Sequence, residues 1–163
     1  MVKKRWLFAA KVLDKPGVLT AVSAVLSNRG VSVQMTLGST LSLPDPQSVP
    51  LFYVFEATDG RMNELLRAVR RLPTVLSCEC FPYDSDKLRA VAFAHVDPRR
   101  LSGGAGVPEM AAAESVAFAP IACDDEHETW VLMSTPREVS ECLAHLKAAG
   151  ALLEVSMTII PVE

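Results

Sequence analysis

The sequence is poor in the features that announce chemistry on their own. It has four cysteines among 163 residues. Cys78, Cys80, Cys123 and Cys142 are too few and too unevenly placed for a secreted disulfide framework. No partners stand at zinc-like spacing from Cys78 and Cys80, so no metal site is expected there. Two apart, they point to one face of a strand and read as small buried apolar side chains. No apolar run reaches the ~18 residues of a membrane span. The basic start Met1 to Arg5 leads into Trp6–Ala10, but Lys11 and Asp14 interrupt before a signal peptide's apolar segment is complete. A cytoplasmic protein with no membrane partner is therefore expected. A net charge of -3 gives no electrostatic reason for direct binding to nucleic acid. Arg67, Arg70 and Arg71 share a helix face, but without interleaved aromatics they read as a solvated surface.

What is present is apolar material in quantity. Hydrophobic residues make up 50% of the chain and charged ones 21%, enough for a real core without metal or disulfide staples. Residues 5–13 are extended in character and stop at the turn cluster Asp14-Lys15-Pro16-Gly17. Val18, Leu19, Val22, Val25 and Leu26 then keep a helical period, with Asp14 as the expected cap and Pro16 in the first turn. Asn28-Arg29-Gly30 supplies a glycine stop. From Val31 the period switches to two: Val31, Val33, Met35 and Leu37 alternate with Ser32, Gln34, Thr36 and Gly38, the pattern of a half-buried strand. Residues 43–50 form a proline-rich hairpin connection, and 51–58 the partner strand. Asp59-Gly60 opens a helix with Met62, Leu65, Leu66, Val69 and Leu72 inward. Pro73 ends it, and 75–83 returns as a strand.

Asp84-Ser85-Asp86-Lys87 is a plausible seam, after which the order recurs more faintly. Residues 88–96 predict a strand, and Asp97-Pro98 opens a glycine-bearing loop over 102–106. A short helix is expected at 108–114 and a hairpin of 116–123 with 129–134 around the acidic tip 124–128. A helix over 136–149 carries Val139, Cys142, Leu143 and Leu146 inward, and 152–162 is the last strand. The expected fold is α+β: tandem ferredoxin-like βαββαβ units with antiparallel sheets, over residues 1–85 and 86–163, each with both helices on one sheet face. The strand at 51–58 is apolar on both faces, which asks for cover by the second unit or by a second chain.

The run Phe8-Ala9-Ala10-Lys11-Val12-Leu13-Asp14-Lys15-Pro16-Gly17-Val18-Leu19, followed after one helix by Asn28-Arg29-Gly30-Val31-Ser32-Val33, resembles the ACT domain. That family's hallmark is an Asp-x-Pro-Gly turn between the first strand and first helix. Residues 5–84 fit the pattern throughout. Residues 87–163 fit in element order and keep Asp97-Pro98 without the neighbouring glycine. The tandem arrangement is similar to that of double-ACT regulatory proteins of the glycine-cleavage repressor type. The resemblance implies a small-molecule ligand, an amino acid or related carboxylate, and no cofactor. It implies a non-enzymatic regulatory role exercised through a homo-oligomer, a partner enzyme or a transcription regulator.

The turn suits such a ligand on physical grounds as well. Gly17 lets a ligand approach the backbone, the open amides of a helix start favour an anion, and Pro16 limits the ordering entropy lost on binding. The expected site comprises Asp14, Lys15, Pro16, Gly17 and Val18 of one unit, with Ser32, Val33, Gln34 and Met35 from the second strand of a neighbour; the start of that strand is also taken to lie near the turn. Ser32 stands where ACT domains often have Asn, a shorter polar reach. The rival reading is a small enzyme using a cleft between the units with His127, His145 or Cys142. Against it, Cys142 falls on its helix's apolar stripe, and nothing in the sequence lowers its pKa or orients a base. A structural dimerisation module is the third reading. His95, on an apolar strand, reads as a satisfied structural residue.

Overall fold

In the computed structural model, residues 2–38, 47–101, 106–124 and 126–162 are described. The expected connection at 43–46, most of the 102–106 loop and Asp125 at the acidic tip lie outside them. Two compact units, Met1–Tyr83 and Asp84–Glu163, divide the chain.

The first unit runs β1 (Lys4–Leu13), α1 (Val18–Ser27), β2 (Val33–Gly38), β3 (Ser48–Ala57), α2 (Asp59–Val69) and β4 (Val75–Pro82). Its sheet order is β2-β3-β1-β4, and every neighbouring pair is antiparallel. Alternation along β1 sends Trp6, Phe8, Ala10 and Val12 into one core with Val18, Val22 and Leu26 of α1 and Leu65 and Val69 of α2, so both helices cover one face. Phe8 meets Phe55 edge-on, with ring centroids 4.7 Å apart. The Trp6 indole donates to the Ala57 carbonyl at 3.1 Å, and the Tyr53 hydroxyl donates to the Leu19 carbonyl at 3.3 Å. Both buried polar tips are thereby satisfied, as burial of such groups requires.

The strand at the end of the proline-rich stretch starts earlier than expected, at Ser48, because Val49 and Pro50 pair with Val12 and Lys11. The proline sits opposite an exposed lysine without ending the strand. The first helix starts later than expected. Gly17, in the left-handed region (φ 82), is the N-cap and offers no side chain, so Asp14 does not cap α1 and Pro16 lies outside it. At its other end α1 closes as expected: Gly30 (φ 68) turns the chain, and the Val31 amide reaches back to the Leu26 carbonyl at 3.2 Å.

The second unit repeats the order with β5 (Leu88–Val96), a single 3₁₀ turn (Pro98–Arg100), α3 (Val107–Ala113), β6 (Ala117–Cys123), β7 (Glu128–Ser134), α4 (Pro136–Ala148) and β8 (Leu152–Pro161). Its sheet order, β6-β7-β5-β8, matches that of the first unit position by position. Leu88, Ala90, Ala92, Ala94 and Val96 face inward, buried with Val107, Ala111, Leu132, Val139, Cys142 and Leu146. Thr135 caps α4 in a reciprocal box with Glu138, whose carboxyl is held below the usual range by bonds from Ser134 and Thr135. The face of this sheet away from the helices leaves Phe93 and Met133 about half exposed, at 47% and 50%. Among the described residues no helix is long and apolar enough to cross a membrane.

Candidate functional site

The turn before α1 is built from the backbone. The Asp14 amide donates to the Gln47 carbonyl at 3.0 Å, Lys15 to Leu13 at 2.9 Å, and Val18 to Lys15 at 3.3 Å. Those three donors are spent on holding the turn against the start of β3. The next ones are not. Among the described residues the amides of Gly17, Leu19 and Thr20 have no hydrogen-bond acceptor, and all three residues are exposed. They form the positive end of a ten-residue helix, which has no acidic side chain in its first turn to neutralise it. Asp14, Lys15 and Pro16 are exposed beside them.

The strand residues expected next to this turn stand elsewhere. Leu13 pairs with Ser48, whereas Val33 pairs with Phe55. Seven residues of β3 separate the two levels, about 23 Å at ~3.3 Å per residue. A single unit therefore does not bring Ser32–Met35 to Asp14–Val18: α1 carries the chain back to the opposite end of the sheet before β2 begins. A bulge between Val33 and Met35 also breaks the strict alternation, leaving Gln34 as the extra residue. Val33 packs on the core, while Met35, opposite Val54, turns to the other sheet face. The Gln34 amide donates to Glu56 at 3.2 Å. Of the four, Ser32 alone is both exposed and without a side-chain partner among the described residues.

In the second unit, Asp97 occupies the position of the turn, and its carboxylate is spoken for. It accepts from the Arg99 amide (3.1 Å) and Nε (3.0 Å) and from Arg100 Nε (3.2 Å). These bonds, the Arg99 side chain foremost, hold its carboxyl below the usual range although its side chain is only 8% exposed.

Of the groups considered for catalysis, Cys142 and His145 both lie near Glu114, and His127 stands apart beside His95. Burial pushes the Cys142 thiol up to about 11, and the nearby Glu114 carboxylate adds to the shift. His145 pairs with Glu114 at 3.2 Å. His127 stacks on His95, with ring centroids 5.2 Å apart. His95 bonds Thr129 at 3.0 Å, the satisfied role expected of it. Burial likewise raises Cys78 and Cys80 to about 12. Among the described residues no group of three or more His, Cys, Asp or Glu is placed to hold a metal ion. A thiol this far above neutral pH is not a nucleophile. Iodoacetamide at neutral pH is therefore expected to label the exposed Cys123 and to spare Cys78 and Cys142 until the protein is unfolded. Mass spectrometry of labelled peptides checks this, and rapid native labelling of Cys142 would revive the enzyme reading.

No family model matches the sequence, and no curated protein matches it. Solved structures do. The chain is similar to the small subunit of acetolactate synthase from Thermotoga maritima at a TM-score of 0.73 and 15% identity, over 96% of this chain and 95% of that one. It is also similar to aspartate kinase from Clostridium acetobutylicum, with a TM-score of 0.51 and 14% identity, over 90% of this chain and 33% of that one. The fold is thus α+β and ferredoxin-like in the ACT manner, repeated twice.

Proposed function

We propose that this chain is a regulatory protein that binds a small carboxylate, an amino acid foremost, at the turn Asp14–Val18 and the open first turn of α1. The carrying observation is that Gly17, Leu19 and Thr20 are exposed and that their amides have no acceptor among the described residues, at a helix start with no acid of its own. A carboxylate meets there both hydrogen-bond donors and the favourable end of the helix dipole. A second copy supplies the other wall, with Ser32 and Gln34 reaching the ligand's ammonium or side chain. The 23 Å separation within one unit makes a partner copy necessary for that contact. Binding then favours the assembled form by the ligand's differential affinity and by nothing else.

The fold supports this reading. The similar structure from T. maritima is the small subunit of acetolactate synthase, and the similar aspartate kinase is an allosteric enzyme. By that analogy the signal passes to a partner enzyme; a transcription regulator is the other candidate.

The test is thermal unfolding with each of the twenty amino acids. One or two are expected to raise the stability, by about 2.7 kcal/mol at a hundred times the dissociation constant, together with a change in oligomeric state. Gly17→Ala should abolish that stabilisation, because its Cβ enters open space beside the free amides. Gly150→Ala is the matched control: it has the same left-handed strain (φ 71), again with nothing within 4 Å, but lies after α4 in the second unit. It should lower the basal stability by a similar ~1–2 kcal/mol and keep the ligand response. No shift with any amino acid, and no change in assembly, would leave a structural dimerisation module as the better account.

A further inference from the structure

The charged residues of the chain are divided unevenly between its two units. Residues 1–83 hold ten lysines and arginines against six aspartates and glutamates, and residues 84–163 hold six against thirteen. The first unit therefore carries a net +4 and the second a net -7, a split that the overall charge of -3 conceals. Part of the basic surplus gathers at the end of α2. Arg67, Arg70 and Arg71 stand three and four residues apart, all exposed and turned away from the buried Leu65 and Val69. The C-terminal end of a helix favours positive charge but does not require three cations. Arg67 donates to the Asn63 carbonyl at 3.2 Å, and Arg70 donates twice to the Cys78 carbonyl, at 2.9 and 2.7 Å. Among the described residues none of the three arginines pairs with a carboxylate. The second unit carries the complement. A cleft of ≈ 460 Å³ is lined by Asp84, Asp86, Glu114, Glu138 and Glu141, with Arg137 the one basic side chain on its wall among the described residues. Arg137 is committed to Glu141 at 2.9 Å. Asp84 and Asp86 are exposed, and among the described residues their carboxylates accept no hydrogen bond.

We propose that the arginine face of α2 in one copy docks on the acidic cleft of the second unit in another copy. A two-fold axis lets each copy give its helix and receive the other's, so both contacts close within one dimer. The occupant follows from charge complementarity. Guanidinium and carboxylate groups pair in a planar, bidentate way, and every copy of the chain brings with it an acidic surface matched to its own basic one. A nucleic acid or an anionic membrane would meet the same arginines but would also face the net -7 of the second unit. Exposed ion pairs are weak singly, so the dimer draws on several at once and loosens as salt screens them. This contact needs no ligand and is separate from the ligand-bridged one proposed above, so either can fail alone.

Sedimentation velocity of the full chain, over a range of protein concentrations and with no amino acid added, tests it. At about 50 mM salt a reversible dimer is expected, and its dissociation constant should rise about tenfold or more at about 500 mM. Arg67→Glu with Arg71→Glu should abolish the dimer, and so should Asp84→Lys with Asp86→Lys. Arg70 is left in place because it holds the Cys78 carbonyl. All four altered positions are exposed, so both variants should keep the fold, which circular dichroism checks. Mixed in equal amounts, the two variants should associate again, since each supplies the sign of charge that the other has lost. The neutral pair Arg67→Gln with Arg71→Gln should weaken the dimer without abolishing it. A monomer under every condition, a dimer indifferent to salt or to the reversals, or folded variants that stay apart on mixing would overturn the proposal. So would a monomer that binds an acidic polymer such as heparin through Arg67 and Arg71.

Discussion

Phe8→Ala is expected to destabilise the first unit by about 3–5 kcal/mol, a large share of the 5–15 kcal/mol by which domains are usually stable. Phe8 sits on the central strand β1, fully buried, between Tyr53 on β3 and Cys80 on β4. Its ring meets Phe55 edge-on at 87°, an arrangement worth more than the area it buries. Truncation leaves a cavity whose walls, paired strands on both sides and two helices above, have little freedom to collapse. Urea unfolding followed by the fluorescence of Trp6, in a Trp130→Phe background, reads the loss as a lower midpoint at unchanged slope. Phe8→Leu refills most of the space and should lose far less. A Phe8→Ala loss below about 1 kcal/mol, outside the range for truncating a buried aromatic, would mean that the first unit is not packed as described.

The fold was legible in the sequence because its signals are local. The Asn28-Arg29-Gly30 stop and the helical stripe of Val18, Val22 and Leu26 each depend on a few neighbours, and each stands in the structure where its pattern put it. The candidate site was less legible because its geometry is not local. The turn at Asp14–Gly17 was visible, but the cap was misplaced: an aspartate three residues before a glycine cannot be told from a capping residue until the φ of Gly17 is known. Within one unit, Ser32–Met35 do not lie near the turn, for a topological reason. β2 follows α1 directly, yet one helix length carries the chain to the far end of the sheet. The bulge at Gln34 moved Met35 to the other sheet face, which an alternating pattern does not announce.

The faintness of the repeat has its own physical cause, and Ala92→Phe tests it. Counting back from Val12 and Val96, the last inward residues of the two central strands, the inner positions read Ala10, Phe8, Trp6 in the first unit and Ala94, Ala92, Ala90 in the second. The same sheet is thus filled from different places. In the first unit the central strand supplies the bulk. In the second it is nearly bare, and Trp130 and Leu132, opposite Ala94 and Ala92, supply it together with Val139, Cys142 and Leu146 of α4. A core fixes total volume, not the strand that carries it, so two copies of one fold can drift apart in sequence while keeping their topology. Giving Ala92 the residue of its counterpart should therefore be harmful. Ala92 has no exposed surface, Leu132 and Met157 flank it, and a phenyl ring has nowhere to go. Overpacking of this size should cost about 3 kcal/mol or more, at or beyond the top of the usual range, read by Trp130 fluorescence in a Trp6→Phe background. Ala92→Phe combined with Leu132→Ala should recover part of the loss, since the two positions share one space. If Ala92→Phe alone is tolerated within about 0.5 kcal/mol, as a surface substitution would be, the second core is not filled from its flanks and another explanation is needed for the divergence of the halves.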